Sequence, residues 1–250
     1  MSLIDHIRQN FSRHAQSYES AAQIQAHAAD RLAELFVQNL PLGPILEIGC
    51  GTGLLSQKIA AAYPTREIHF TDLSPEMVEA TKNRLGEKEN FHFSCLNGEE
   101  INPQPQYAAI FSSFTLQWFL DLQQGLKGLS GALLSGGYLC VALQGSESYP
   151  EWKAACKELK IPFGGNLLAS KEEFVAIDQL QSIQLVVTKH QSQYPKALDF
   201  FHHFKELGAN TAINSGILPF LDFKLLLKKL DQSDPVEITT EIIYYIGIKT

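Results

Sequence analysis

ILEIGCGTG, residues 45–53, reads as a short buried strand running into a loop with glycine at every second position. Ile45, Leu46 and Ile48 form the apolar run, Gly49, Gly51 and Gly53 follow it, and a helical stretch from Leu54 to Ala62 comes next. Glycine is needed at such a strand-to-helix corner because the backbone turns tightly and approaches a ligand with no Cβ in the way. Several nucleotide-binding folds use a similar corner, so the details decide between them. The spacing here is not G-x-G-x-x-G. An acid, Glu47, precedes the loop, and no lysine or arginine follows before Lys58. A carboxylate in that place repels a pyrophosphate but takes an ammonium group through a water or backbone contact. The loop therefore suits a cofactor carrying an amino-acid moiety rather than phosphates.

The next strand supplies a second acid. EIHFTDL (67–73) ends on Asp72, 19 residues after Gly53. An acid at a strand end there fits two ribose hydroxyls, each through a charge-assisted hydrogen bond of roughly 1.5–3 kcal/mol. The bland role for Asp72 is to cap the following helix, but Ser74 is better placed for that. SPEMVEATKNRL (74–85) opens with Ser74 at the N-cap and Pro75 at the first helical position, and sets Met77, Val78, Thr81 and Leu85 on one face. Leu73 and Met77 would flank an adenine ring. After FHFSCL (91–96) comes NGEEI (97–101), where the Asn97 side-chain carbonyl either accepts the adenine amino group or makes an ordinary polar turn.

The alternation continues through YAAIFSSF (107–114), LQQGLKGLSGALL (122–134) and GGYLCVAL (136–143). Strands separated by helical stretches predict right-handed βαβ units and a mostly parallel sheet. Residues 3–40 are helix-like up to the break at PLGP (41–44). Beyond residue 149 the helical stretches are EWKAACKEL (151–159), KEEFVAI (171–177), ALDFFHHFKELGA (197–209) and FKLLLKKL (223–230). Two late strands, SIQLVVTKHQSQY (182–194) and EITTEIIYYIGI (237–248), predict an antiparallel edge. The expected organisation is an N-terminal helical lid (1–40), an α/β core (41–148), a helical cap with strand 182–194 embedded in it (149–235), and a final strand of the core sheet (236–250).

Composition narrows the function. With 45% hydrophobic and 19% charged residues the chain is ordinary globular material rather than disordered. A formal charge of −7 argues against nucleic acid, whose phosphates would be repelled. No apolar run approaches the roughly 18 residues of a membrane span, and the N-terminus has no signal-like apolar region. Cys50, Cys95, Cys140 and Cys156 show no CxxC spacing and read as buried free thiols, so a cytoplasmic protein is expected. His202 and His203 are adjacent and point about 100° apart on a helix, which rules out joint chelation. No Ser–His–Asp, Cys–His or metal-ligand spacing was found, and no metal is expected.

Together, Glu47, the glycine run, Asp72 and Asn97 resemble the class I S-adenosylmethionine-dependent methyltransferases over residues 44–145. The resemblance implies a Rossmann-like core sheet, S-adenosyl-L-methionine as cofactor and S-adenosyl-L-homocysteine as product. It also adds Gly98, Glu99 and Ser113 to the cofactor-binding residues. The segment FSRHAQSYESAAQIQ (11–25) is more specific. It resembles the N-terminus of the malonyl-acyl carrier protein O-methyltransferases of biotin synthesis, F-x-R-x-A-x-x-Y-x-x-x-A-x-x-Q, with Phe11, Arg13, Ala15, Tyr18, Ala22 and Gln25 in place. FSSFTLQWFLDL (111–122), ALQGSESYPEW (142–152) and FHHFKELGANT (201–211) continue the likeness along the chain. The resemblance implies methylation of the free carboxyl of a malonyl thioester, with malonyl-acyl carrier protein or malonyl-coenzyme A as partner and a monomeric enzyme.

On the same resemblance, Arg13 and Tyr18 reach the cofactor or acceptor from a segment that folds over the pocket. Gln117 joins Tyr18 as a catalytic candidate, and Trp118 is either core or an acceptor platform. His202 and Lys205 are candidates for the acceptor carboxylate, although the family often carries arginine at the positions of Asn166 and His202. Lys224 and Lys228, at i and i+4, would suit an acidic carrier protein, with Lys153, Lys157 and Lys160 as a competing patch. A carboxylate with a pKa of roughly 4 is already ionised at neutral pH, so the chemistry asks for alignment and water exclusion rather than a base. Two other readings stay open: another acceptor, such as a small carboxylate like aconitate or a quinone-type carbon, and a catalytically silent cofactor-binding module.

Overall fold

A computed structural model describes residues 2–14, 22–175, 177, 179–207 and 218–250. Seven strands form one sheet in the order β3-β2-β1-β4-β5-β7-β6. They are β1 (Ile45–Ile48), β2 (Ile68–Asp72), β3 (Phe91–Cys95), β4 (Tyr107–Ser113), β5 (Leu133–Gln144), β6 (Leu180–Tyr194) and β7 (Val236–Lys249). Every pairing from β3 to β5 is parallel, and β7 pairs antiparallel with both β5 and β6.

The parallel half follows directly from the sequence. β1 is buried at all four positions because helices cover both faces of a central parallel strand, which is why ILEI shows no polar alternation beyond Glu47. On one face, α1 (Leu3–His14), α2 (Gln23–Glu34), α3 (Leu54–Ala62) and α4 (Pro75–Leu85) occur in the first half of the chain. Leu32, Phe36, Ile59, Phe70 and Phe111 pack together there. The other face carries α5 (Leu122–Ala132) over Leu46, Ile110, Leu139 and Val141. The helix expected over 74–85 is present with the foreseen cap, since Ser74 Oγ accepts from the Met77 N–H at 3.2 Å and Pro75 opens the helix. The helix-like reading of 3–40 is too long: α2 ends at Glu34, and turns fill 35–44.

The chain runs from β1 outward through β2 to β3, then returns across β1 to β4. That reversal leaves a crevice at the carboxyl ends of β1 and β4, where open α/β sheets bind ligands. The two late strands form the expected antiparallel edge, but the place of the first of them differs from the expectation. β6 is not embedded in the cap but is the edge strand of the same sheet, paired with β7 from Tyr194↔Val236 to Leu180↔Lys249. The cap is instead the three helices α6 (Pro150–Leu159), α8 (Ala197–Glu206) and α9 (Phe220–Leu230), with a short α7 (Glu172–Val175) between α6 and β6. Trp152, Phe200, Leu226 and Ile238 hold the cap to the start of β7. Among the cysteines, Cys50, Cys140 and Cys156 are buried, whereas Cys95 is exposed, because it ends edge strand β3.

Candidate active site

The corner after β1 forms the floor of a cavity. Gly49, Gly51 and Gly53 all have φ in the left-handed region, at 72°, 56° and 88°. A Cβ on Gly49 would stand 1.9 Å from Thr115 Oγ1, whereas one on Gly51 would meet nothing within 4 Å. Gly49 is thus a packing requirement, and Gly51 leaves its open side to the cavity. Gly53 lies behind the wall, as the left-handed N-cap of α3. Hydrogen bonds with the end of β2 and with α4 fix the loop. Thr71 Oγ1 donates to the Glu47 carbonyl at 2.6 Å, the Cys50 N–H to the Thr71 carbonyl at 2.8 Å, and Thr81 Oγ1 to the Gly51 carbonyl at 2.8 Å.

Glu47 and Asp72 both line this cavity. Glu47 is 1% exposed, and its carboxyl accepts from Ser56 Oγ at 2.5 Å. Burial pushes its pKa up to about 8, with the Asp72 charge adding to the shift and the Ser56 hydrogen bond opposing it. Asp72 is half-buried and bidentate: Oδ2 accepts from the Gly51 N–H and Oδ1 from the Ser74 N–H, each at 2.9 Å. Burial raises its pKa as well, against those backbone donors and that of Leu73. These N–H groups fix the direction of the carboxylate and leave lone pairs for a ligand.

Leu73, Met77, Leu96, Gly98 and Glu99 continue the wall from β2 and β3. Asn97 lines it too, but its Oδ1 accepts from the Glu99 N–H at 3.2 Å and caps a single 3₁₀ turn, Gly98–Glu100. The polar-turn role is therefore real, and one lone pair stays available for an adenine amino group. Glu99 is itself engaged by the Asp121 N–H at 2.9 Å. Ser113 ends β4 on the cavity wall, beside Phe114, whose φ of 53° is strained for a bulky residue.

A helical lid was expected over the pocket, but the residues by which it lines the cavity were not assigned from the sequence. Ile4, Ile7 and Phe11 from α1 and Gln25 and Ala29 from α2 cover the cavity. The signal was available as an i, i+3, i+7 apolar stripe on α1, but short polar helices show such stripes without a site. α1 is latched to α4, with Ser12 Oγ at 3.0 Å from Ser74 Oγ and hydrogen-bonded to Glu76. Phe11 meets Trp118 edge-on with ring centroids 5.2 Å apart, so Trp118 is a cavity wall as well as a packing residue. Gln25 Oε1, Thr52 Oγ1 and Ser113 Oγ are buried with no hydrogen-bond partner among the described residues. All three belong to cavity-lining residues, as expected where a polar ligand completes the set. An amino-acid nucleoside fits these residues: acid and glycine loop at one end, bidentate Asp72 between, apolar Leu73 and Met77 beyond.

Other candidates lie elsewhere. Arg13 is exposed at the far side of α1, beside Pro75, Glu76 and Glu79 on α4, and outside the cavity. It falls two positions after Phe11, which turns it away from the roof face. Tyr18 lies outside the described residues. Gln117 sits on the 3₁₀ turn Leu116–Trp118, off the cavity wall, with a buried and unpartnered Oε1 among the described residues. His202 and Lys205 are exposed on α8, and Asn166 is half-buried between α6 and α7; none of the three lines the cavity. Lys153 leaves the competing basic patch, because its ammonium donates to the Ser146 carbonyl.

Sheet order, glycine corner and the paired acids Glu47 and Asp72 define a class I S-adenosylmethionine-dependent methyltransferase. A family model described as "Methyltransferase domain" matches residues 46–139. The chain is 31% identical to malonyl-[acyl-carrier protein] O-methyltransferase 1 of Ilyobacter polytropus over 98% of its own length and 96% of that protein. It is 30% identical to enzyme 2 of the same organism over 96% of each. It therefore belongs to the malonyl-[acyl-carrier protein] O-methyltransferase family. The YcgJ protein of Bacillus subtilis shares the fold, with a TM-score of 0.60 at 19% identity over 89% of this chain and 98% of that one.

Proposed function

We propose that this enzyme methylates the free carboxylate of a malonyl thioester, carried on acyl carrier protein, at an early step of biotin synthesis. The reading is carried by full-length likeness to relatives that bear that name. The cavity chemistry supports it independently. Its titratable lining among the described residues is Glu47, Cys50, Asp72 and Glu99. Ser56 holds Glu47, backbone N–H groups hold Asp72 and Glu99, and burial keeps Cys50 a neutral thiol. None is poised as a general base, and a carboxylate acceptor needs none.

When bound, S-adenosylmethionine would supply an electrophilic methyl group on a sulfonium for a carboxylate oxygen, with S-adenosylhomocysteine as the leaving group. The chain's own work is to bind, align and dry the reacting pair. Asp72 would hold the ribose, Leu73 and Met77 the adenine, and Glu47 with the glycine corner the methionine ammonium. Asn97 and the Gly98–Glu99 backbone would close the adenine end. Phe11, Ile7 and Trp118 would exclude water from the cavity. Tyr18 and Gln117 are assigned to the acceptor side, and Lys205, Lys224 and Lys228, all exposed on the cap, to the carrier partner. The protein acts as a monomer in the cytoplasm on this reading; among the described residues, no helix is long and apolar enough to cross a membrane.

The test is an intact-mass methylation assay with malonyl-acyl carrier protein, malonyl-coenzyme A and acetyl-acyl carrier protein side by side. One added methyl on the malonyl species alone is the expected result. Methylation of none of them, with cofactor binding intact, would sink the proposal and point to another acceptor.

A further inference from the structure

Glu67, His69 and His92 converge at the amino-terminal ends of β2 and β3, at the end of the strands opposite Asp72. Three features of the fold bring them together. Glu67 and His69 are two residues apart in extended chain and so point to the same face. The parallel register sets His69 directly opposite His92. The connection from β3 to β4 contains only the 3₁₀ turn Gly98–Glu100 among its residues, so no helix covers this corner of the sheet. Both imidazoles remain partly exposed as a result.

The geometry is convergent rather than merely crowded. Nε2 of His69 lies 2.9 Å and Nε2 of His92 lies 3.4 Å from the same oxygen, Glu67 Oε1. One ligand atom from each of the three residues falls within 4.8 Å of the others. Ligands 2.0–2.1 Å from a tetrahedral zinc ion stand about 3.4 Å from one another. The His92 separation of 3.4 Å already matches that value and the His69 separation of 2.9 Å is shorter, an adjustment that rotation of half-exposed rings supplies. The ring of Tyr107, edge-on to His69 at 5.7 Å, backs the site on the inner side.

We propose that Glu67, His69 and His92 form a binding site for a divalent late transition-metal ion, zinc foremost, separate from the methyl-transfer cavity. Two imidazoles and one carboxylate suit zinc, nickel or copper and disfavour magnesium and calcium, which demand oxygen ligands. Three protein ligands leave a fourth position for water. Bound metal clips the edge strand β3 to β2. From Glu67 to Asp72 is a strand length of about 16 Å, so the ion takes no part in methyl transfer.

The test is isothermal titration of the untagged full-length protein with zinc alone, at a pH where imidazole is neutral. One zinc per chain is expected, with affinity weakened about tenfold or more in His69→Ala and in His92→Ala, and by less in Glu67→Gln. Cys95→Ser should bind like the wild type, and zinc should raise the melting temperature of the wild type but not of His92→Ala. Magnesium should give no competing heat, and a chelator should leave the methyl-transfer rate unchanged. Absence of stoichiometric zinc binding would overturn the site. So would binding that survives in both histidine variants but is lost in Cys95→Ser. All four substituted side chains are exposed or partly exposed, and circular dichroism of each variant separates a lost site from a lost fold.

Discussion

Floor and roof of the cofactor cavity are built from different materials. The floor is made of strand ends: Glu47, Gly49, Gly51 and Asp72 lie at the carboxyl edges of β1 and β2, and each is bonded to a neighbouring strand, loop or helix. The roof is made of helices outside the sheet, α1 and α2, and meets the floor mainly through apolar side chains and the Ser12 latch. A floor fixed by backbone hydrogen bonds is geometrically exacting, so small changes there should be costly. A roof held by contacts can shift, so changes there should be graded.

The sharpest break of that comparison lies within the glycine corner itself. In Gly49→Ala the new Cβ would fall 1.9 Å from Thr115 Oγ1, in a left-handed residue. Backbone strain of roughly 1–2 kcal/mol adds to a clash that the floor cannot relieve by moving. Cofactor affinity is expected to fall by about a hundredfold or more, measured by calorimetry alongside circular dichroism. Gly51→Ala has the same backbone hand but open space, so it should lose only about tenfold from the strain. Equal losses in the two variants would mean that handedness alone, not the approach to Thr115, governs the corner.

Asp72→Ala comes next. Losing one or two charge-assisted hydrogen bonds to a ribose predicts about tenfold or more weaker S-adenosylmethionine binding. The variant also strips acceptors from the Gly51 and Ser74 N–H groups, so Asp72→Asn separates the charge from the scaffold. An unchanged dissociation constant in both would remove the ribose role.

Glu47 makes the floor sensitive to pH. Its carboxyl is lifted from an ordinary 4.5 to about 8, so the unliganded protein holds it protonated at pH 7. A cofactor bearing ammonium and sulfonium charges favours the ionised form, and binding should therefore expel close to one proton at pH 7. Affinity is expected to rise with pH between about 6 and 8, by at most about tenfold per unit for one proton. Calorimetry in buffers of different ionisation enthalpy counts the proton, and Glu47→Gln should flatten the dependence. The same lift gives the unliganded fold a stability that falls as pH rises from about 4.5 toward 8, because the unfolded chain gives up its proton first. Zero proton release would place the ammonium elsewhere.

The contrast between the halves also explains what the sequence allowed to be read. ILEI followed by three alternate glycines is a local statement, since strand, turn and helix start are all encoded within nine residues. Asp72 and Ser74 were legible for the same reason. The roof was legible only as a helical lid, and its lining residues were not, because Phe11 and Gln25 reach the cavity through the docking of α1 on α4, a contact across 62 residues between Ser12 and Ser74. Arg13 shows the cost of reading a motif without its helix: two positions from Phe11, it points to the outer surface of α4. β6 reads as a cap strand in the sequence because its exposed, alternating residues match an isolated strand as well as a sheet edge. His69 and His92 were invisible as a pair, being related only by strand register.

Phe11→Ala tests the roof. Removing an aromatic edge contact worth roughly 0.5–1.5 kcal/mol and opening the cavity to water should weaken cofactor binding by a few-fold, and slow methyl transfer somewhat more. A loss as large as that of Gly49→Ala would mean that the roof is as exacting as the floor.

The smallest effect belongs to the cap, whose α9 lysines lie outside the cavity lining. Lys224 and Lys228 stand exposed on α9 next to the exposed Leu221 and Leu225, on a chain whose net charge is −7. Rim charges act on encounter more than on the bound state, and their effect fades with salt. Lys224→Glu with Lys228→Glu should therefore lower kcat/KM for a carrier-bound malonyl group by about two- to fivefold at low ionic strength. The difference should vanish at high salt, and kcat and cofactor affinity should stay unchanged. Malonyl-coenzyme A, which has no protein surface to meet α9, is the control. An equal drop for both acceptors would mean that α9 acts on the thioester arm, and no drop for either would move the carrier's contact to Lys205 on α8.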